Sequence, residues 1–401
     1  MRILLPTDVF PPFCGGSGWS TYYLAKVLEK KGHEITIIVP KPNVKGVSFG
    51  KYNGLDIVYI GYKTSNIPLV KNYYKNEVFW KEMEIFLTHY LSQNKYDIIH
   101  AQHQMTIIPS IIVGNRLSIP VVSTIRDYWP VCYFGTMYHD DHGTDTCNCV
   151  SQKARIFGTF ANIYVRKNLE YKRSILNKST TVTCASNFMK DTLSSINIEA
   201  ELVENFVDTK DLKKISKDSY GGLPKKYLFY GGNLTENKGV LFMLSSISGL
   251  KMPTLIAGSG MLENKMKAII KENNLDAQMV GRLSYKNTIK VMSKAHALIF
   301  PSLWNEPFGR VIIESMALGV PVIALDRGGP RDIITNGKDG ILTTKRSFAS
   351  QLKRIIKDNK LRARFSKNAM NAVRRKYDEG KIVKKFENIY KNALRKNQRI
   401  A

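Results

Sequence analysis

With 401 residues, 43% of them hydrophobic and spread along the whole length, the chain has material for two cores and is not a disordered polymer. Sixty Lys and Arg against 33 Asp and Glu leave a formal charge of +27, which calls for an anionic partner: nucleic acid, a lipid headgroup or a phosphorylated substrate. Five cysteines, an odd number, exclude a disulfide framework.

The opening MRILLPTDVF runs straight into a strand pattern without the apolar core and small-residue cleavage site of a signal peptide. No apolar run of about 18 residues follows anywhere, so no transmembrane helix and a cytoplasmic location are expected. RILLP reads as a strand, FCGGSG as a glycine loop and WSTYYLAKVLEKKGH as a helix with Leu24, Val27 and Leu28 at helical spacing; EITIIVP is the next strand. YDIIHA (96–101), IPVVSTI (119–125) and TTVTCAS (180–186) continue a parallel pattern, with Ser186 placed to cap a helix. The Lys-rich stretch 209–225 reads as a linker between an N-terminal domain, 1–208, and a C-terminal one, 226–379. A second series follows in KYLFYGG, TLIAG, AQMVG, HALIFP and VPVIAL. The fold class is α/β, two Rossmann-like doubly wound parallel sheets facing across a cleft, the default place for a ligand. KIVKKFENIYKNALRKN sets Ile382, Phe386, Ile389 and Leu394 on about one helical face, which is expected to pack on a domain, the first included.

In EPFGRVIIE a strand ends near Phe300, a loop carries Pro301 and Pro307, and a helix begins near Gly309 and ends at Gly319. Glu306 then stands above a helix N-terminus and Glu314 within about two turns of it. A helix N-terminus accepts a diphosphate, and a carboxylate beside it accepts hydrogen bonds from a vicinal diol, the two parts of a sugar nucleotide. The same residues also read as a first-turn acid with a solvated loop acid, or as the paired carboxylates of a hydrolase.

That block, followed by MALGVPVIA, resembles the donor-binding signature of glycosyltransferase family 4, retaining enzymes of the GT-B fold. GGSGWSTYYLAKVLEKKGHEITIIVP, DIIHAQH, VENFVD, GGNLTENKG, AGSGMLENKMK and VGRLS resemble the family's other segments, in order and over both domains. The resemblance implies a metal-independent hexosyltransferase-type enzyme that uses a nucleoside-diphosphate sugar as substrate, needs no cofactor, and serves a glycan or lipid-linked acceptor held by the first domain. It implies Glu306 on the hydroxyls of the transferred sugar, Glu314 on the ribose, Lys238 on the diphosphate, and Gly281 and Arg282 at the base. Gly15, Gly16, Phe308 and Gly309 would offer backbone N–H groups to the phosphates, with Asn233 and Arg310 in the same nucleotide-binding set.

Two positions depart from the family. IRDYWPVC carries Arg126 where the family has a His that approaches the donor sugar, and GGNLTENKG carries Asn233 where it has Arg. Arg126 is therefore a candidate catalytic residue with Glu306, taking over charge binding on the diphosphate or on an acidic sugar. The alternative readings are a basic nucleic-acid-binding protein, for which no motif is present, and a catalytically degenerate sugar-nucleotide-binding protein.

Three further groups stand out. Cys132, Cys147 and Cys149 with His139 and His142 have ligand types suited to zinc, although Cys-x-Cys is unlike the usual knuckle and a lid is the competing reading. His100 and His103 read as packing residues, and Cys14 and Cys184 as small apolar fillers. From 151 to 180, seven Lys or Arg against one Glu interleave with Phe157, Phe160, Tyr164 and Tyr171, and Tyr73, Tyr74, Phe79 and Trp80 lie between Lys71 and Lys81. Such segments suit a peripheral contact with an anionic membrane, or place their aromatics in the core.

Overall fold

The computed structural model of the protein describes residues 1–12, 14–137 and 158–398. The chain divides into two compact units, one of Met1–Glu204 with the segment from Gly380 onward and one of Asn205–Glu379.

Unit 1 is an eight-stranded sheet in the order β3-β4-β2-β1-β5-β6-β7-β8. Its strands are β1 (Arg2–Pro6), β2 (Glu34–Pro42), β3 (Val47–Tyr52), β4 (Leu55–Tyr62), β5 (Ile98–Gln102), β6 (Val121–Ile125), β7 (Thr181–Cys184) and β8 (Glu201–Leu202). Every pairing is parallel except β3 with β4. β5 and β6 are buried at every position, as a central strand covered on both faces must be. The helices are α1 (Gly16–Lys30), α2 (Pro68–Tyr73), α3 (Phe79–Gln93), α4 (Gln104–Arg116), α5 (Gly158–Leu176) and α6 (Asn187–Ser194), and a π-helical turn, Tyr74–Val78, joins α2 to α3. Ser186 caps α6 by accepting from the Met189 N–H. The β3–β4 hairpin adds two strands to those read from the sequence: β4 is an apolar run, LDIVYIGY, whereas β3 is an edge strand with no buried position.

Unit 2 is a six-stranded parallel sheet, β11-β10-β9-β12-β13-β14. Its strands are β9 (Leu228–Gly231), β10 (Thr254–Ala257), β11 (Ala277–Gly281), β12 (Ala297–Phe300), β13 (Val322–Leu325) and β14 (Ile341–Thr343), the last too short to stand out in the sequence. The stretch read as a linker holds α7 (Thr209–Lys217), capped by Asp208 accepting from the Lys210 and Asp211 N–H groups. The other helices are α8 (Val240–Ile247), α9 (Glu263–Glu272), α10 (Tyr285–Met292), α11 (Arg310–Ala317), α12 (Pro330–Ile333), α13 (Phe348–Lys357) and α14 (Asn359–Lys376).

The C-terminal helix, Glu379–Gln398, buries Ile382, Phe386 and Ile389 as its spacing predicts. Ala393 is buried and Leu394 half-buried, and Tyr390 hydrogen-bonds His100 Nδ1 at 2.7 Å within unit 1.

Candidate functional site

The carboxyl ends of β9 and β12 converge on the two glutamates of unit 2. The β9 strand runs into Gly232 and Asn233, a 3₁₀ turn over Glu236–Lys238, and Gly239 at φ +68°. A Cβ at Gly239 would lie 2.0 Å from the Pro301 carbonyl, so this turn packs backbone on backbone against the loop after β12. Lys238 Nζ is thereby brought to 2.6 Å from Glu306 Oε1, which also accepts from Ser302 Oγ at 2.8 Å. The ammonium lies 4.7 Å from the Trp304 ring centroid, a cation–π contact. Glu306 is 6% exposed, and its main-chain carbonyl accepts from the Gly329 N–H at 2.7 Å. Gly328 and Gly329 press on residues 305–308 so closely that a Cβ on either would meet backbone atoms within 3.0 Å.

Gly309, at φ +108°, opens α11, and no described side chain caps that helix. Its first turn also lacks an acid, a configuration that favours an anion. Phe308 turns its ring into the unit, edge-on to Tyr377, and leaves its backbone at the turn. Glu314 lies one turn inside. Its Oε1 accepts from Tyr285 OH and from Arg310 Nε, both at 2.8 Å, while Arg310 Nη1 donates to the Phe206 carbonyl at 3.0 Å. Burial raises the Glu314 carboxyl above its ordinary range, and Arg310 and Tyr285 act against that rise. Gly281, at φ +69°, gives its carbonyl to the Gly258 N–H at the end of β11, and Arg282 next to it is exposed. Asn233 is exposed too, its carbonyl accepting from Tyr230 OH. Ser302, Trp304, Tyr285, Gly328 and Gly329 were not singled out in the sequence, because their contacts to the glutamates span up to 29 residues and follow no period.

In unit 1, Gly15 and Gly16 stand at the start of α1, which likewise has neither a described side-chain cap nor a first-turn acid. Arg126, just past β6, donates from Nε to Gln102 Oε1 at 2.6 Å, and Thr21 Oγ1 donates to the same oxygen. The guanidinium is thus tied to the carboxyl end of β5. His100 is fully buried between Tyr390 OH and Thr124 Oγ1, a packing arrangement, and burial drives its pKa down to about 3. His103 is also held near 3 by burial and by Arg126, and its backbone takes φ +70° and ψ 168°. Cys132 and Cys184 are buried and Cys14 half-buried; Cys147, Cys149, His139 and His142 lie outside the described residues. Phe79 and Trp80 are core, whereas Phe160, Tyr171 and Tyr73 are 80%, 44% and 49% exposed. Phe157 lies outside the described residues.

Two family models match successive stretches of the chain, "Glycosyltransferase Family 4" over residues 14–211 and "Glycosyl transferases group 1" over 213–372. An uncharacterised glycosyltransferase of Methanocaldococcus jannaschii is 25% identical over 98% of this chain and 99% of its own. Sucrose-phosphate synthase of Thermosynechococcus elongatus superposes with a TM-score of 0.73 at 20% identity, covering 97% of this chain and 98% of that one. Anabaena HepE in complex with UDP-glucose does so at 0.68 and 15% identity, covering 97% and 99%. These likenesses identify the fold as GT-B.

Proposed function

Because the chain belongs to glycosyltransferase family 4, we propose that this GT-B glycosyltransferase moves a sugar from a nucleoside-diphosphate sugar to a glycan or lipid-linked acceptor, with retention at the anomeric carbon. The observation that carries this reading is the convergence, at one edge of one sheet, of Lys238, Glu306 and the uncapped start of α11, with Glu314 one turn beyond. The Anabaena protein's complex with UDP-glucose supports a donor of this class.

In this reading the diphosphate sits at Phe308 and Gly309, where α11 presents its N–H groups, and Lys238 meets its charge. Tyr285 and Arg310 occupy Oε1 of Glu314 and leave Oε2 to accept from a ribose hydroxyl. Glu306, aimed by Ser302 and Lys238, accepts from hydroxyls of the sugar to be transferred. As the bond between the anomeric carbon and the phosphate oxygen breaks, Lys238 and the helix start stabilise the charge growing on that oxygen, so no metal ion is required. The acceptor hydroxyl attacks the same face and forms the new C–O bond. Its proton passes to the departing phosphate oxygen.

Gly15, Gly16 and Arg126 give unit 1 an anion-binding edge of its own, with Gln102 setting the direction of the guanidinium. The net charge of +27 then serves phosphate chemistry and a peripheral membrane contact rather than nucleic acid. Exposed Phe160, Ile163, Tyr171 and Tyr73, flanked by Lys71, Lys81, Arg166 and Lys167, are the residues for that contact. No described helix is long and apolar enough to cross a bilayer.

Titration calorimetry with UDP, GDP and ADP tests the donor reading. One of the three is expected to bind, and Glu314→Gln to weaken it roughly tenfold or more by removing a charge-assisted hydrogen bond. Failure of all three to bind overturns it.

A further inference from the structure

One edge of the unit 1 sheet is β3, and its hydrogen-bond pattern sets what it offers to solvent. β3 runs antiparallel to β4, with Val47 opposite Ile60 and Tyr52 opposite Leu55. Just before it, the Gly61 N–H donates to the Gly46 carbonyl at 2.8 Å, which makes these two residues a hydrogen-bonded pair. Such pairs alternate along an antiparallel ladder. Ser48, Gly50 and Tyr52 therefore turn their N–H and C=O groups to β4, while Val47, Phe49 and Lys51 turn theirs outward. The side chains of those three outward residues share one face of the sheet, where Phe49 is 75% exposed and Val47 44%.

Natural proteins blunt an edge of this kind with a proline, a bulge, unpaired charge or a covering segment. β3 uses none of them. VSFGKY contains no proline, its register with β4 runs without a shift, its single charge, Lys51, is bound to Asp56 at 3.1 Å, and Phe49 lies open. The hairpin closes through Asn53 and Gly54, at φ +49° and +90°, the pair of left-handed residues that keeps two strands in tight register.

Charge selects the occupant. The chain carries +27, yet residues 46–62 hold only Lys51 and Asp56, which cancel. Two copies of so basic a chain repel each other over most of their surface, and at this edge they meet without opposed charge. A charged peptide would find no free counter-charge here. The strand is also complementary to itself. Set antiparallel to a second copy with Phe49 opposite the partner's Phe49, it places Val47 opposite the partner's Lys51, so the two lysines never face each other.

We propose that β3 is a homodimer edge: two copies of this chain pair antiparallel through residues 47–51, centred on Phe49, and join their sheets into one. Phe49 then exchanges both of its backbone hydrogen bonds with the partner's Phe49, and the two rings pack side by side on the same face. The seam is narrow, so the association is weak, in the micromolar range. It is independent of the donor chemistry of unit 2.

Sedimentation velocity on the full chain, from about 1 to 100 µM, is expected to show a monomer–dimer equilibrium. Phe49→Glu sets like charges opposite each other at the centre and should weaken the dimer about tenfold or more, with an unchanged circular dichroism spectrum because Phe49 is exposed. Cysteines test the register. Under mild oxidation Phe49→Cys should form a covalent dimer on a non-reducing gel, since directly opposed Cβ atoms lie about 5 Å apart, within reach of a disulfide. Val47→Cys should not exceed the wild-type background, since the partner's position 47 is then four residues, about 13 Å, away. A wild type that stays monomeric throughout, a dimer indifferent to Phe49→Glu, or cross-linking of Val47→Cys as fast as that of Phe49→Cys overturns the proposal. If Phe49→Glu proves unfolded, the two cysteine variants decide.

Discussion

The two units handle buried charge in opposite ways. In unit 2 each critical carboxylate has a cation in contact: Lys238 on Glu306 at 2.6 Å and Arg310 on Glu314 at 2.8 Å. In unit 1 Lys172 is buried as deeply as any of these, and among the described residues its ammonium finds no hydrogen-bond acceptor and lies 5.1 Å from the Tyr133 ring centroid. A paired charge is already desolvated and aimed before a ligand arrives, whereas an unmatched one costs folding energy until something supplies the missing partner. The contrast shows which charges the fold itself needs and which it tolerates.

The largest effect is expected where a fully buried pair is broken. Arg310→Met leaves Glu314 without its cation and should destabilise unit 2 by about 3 to 5 kcal/mol, read from urea denaturation followed by circular dichroism. A loss under about 1 kcal/mol would mean that the pair is not the support described. Next comes Glu306→Ala. If Glu306 acts on the transferred sugar as proposed, this should lower donor turnover by roughly two to three orders of magnitude, in a coupled assay of nucleoside-diphosphate release, with the protein still folded. Unchanged turnover would remove Glu306 from the chemistry.

Lys172→Met should do the reverse of Arg310→Met and stabilise the fold by about 1 to 4 kcal/mol, since it removes an unmatched charge. The gain has a definite pH dependence. Burial pulls the Lys172 pKa down from 10.5 to about 7, with Glu77 on the π-helical turn, Asp127 after β6 and Cys132 in the following loop opposing the shift. Below pH 7 the folded protein carries the full cost of the buried ammonium. Between pH 7 and 10.5 the unfolded chain binds more protons than the folded one, so the wild type recovers stability as pH rises. The Tm difference between variant and wild type should therefore shrink from pH 7 toward pH 10, and a constant difference would show that the ammonium is not the cause. The smallest effect is Tyr285→Phe. It removes one donor from Glu314 Oε1, should raise the donor KM by a few fold at nearly constant kcat, and should leave the denaturation midpoint within about 1 kcal/mol of wild type. A change in kcat alone would place Tyr285 elsewhere.

Much of this molecule is legible in the order of its residues. Alternating strands, glycine turns and amphipathic helices are local patterns, since the apolar period and the φ demands of a turn involve neighbours a few residues apart. That is why the parallel strands at the centre of both sheets, the cap at Ser186 and the position of Glu306 and Glu314 around the start of α11 follow from the sequence. His100 as a packing residue follows from its strand as well. Tertiary structure decided the rest. Exposed β3 finds its place only by pairing with β4, and the π-helical turn has no signature in its own residues. The meeting of Asp8, Glu77, Asp127 and Lys172 joins segments up to 164 residues apart, and whether a lysine among so many is solvated or stranded depends on what surrounds it. Periodicity is carried by adjacent residues; desolvation and charge pairing are carried by whatever the fold brings alongside, and no local window contains that information.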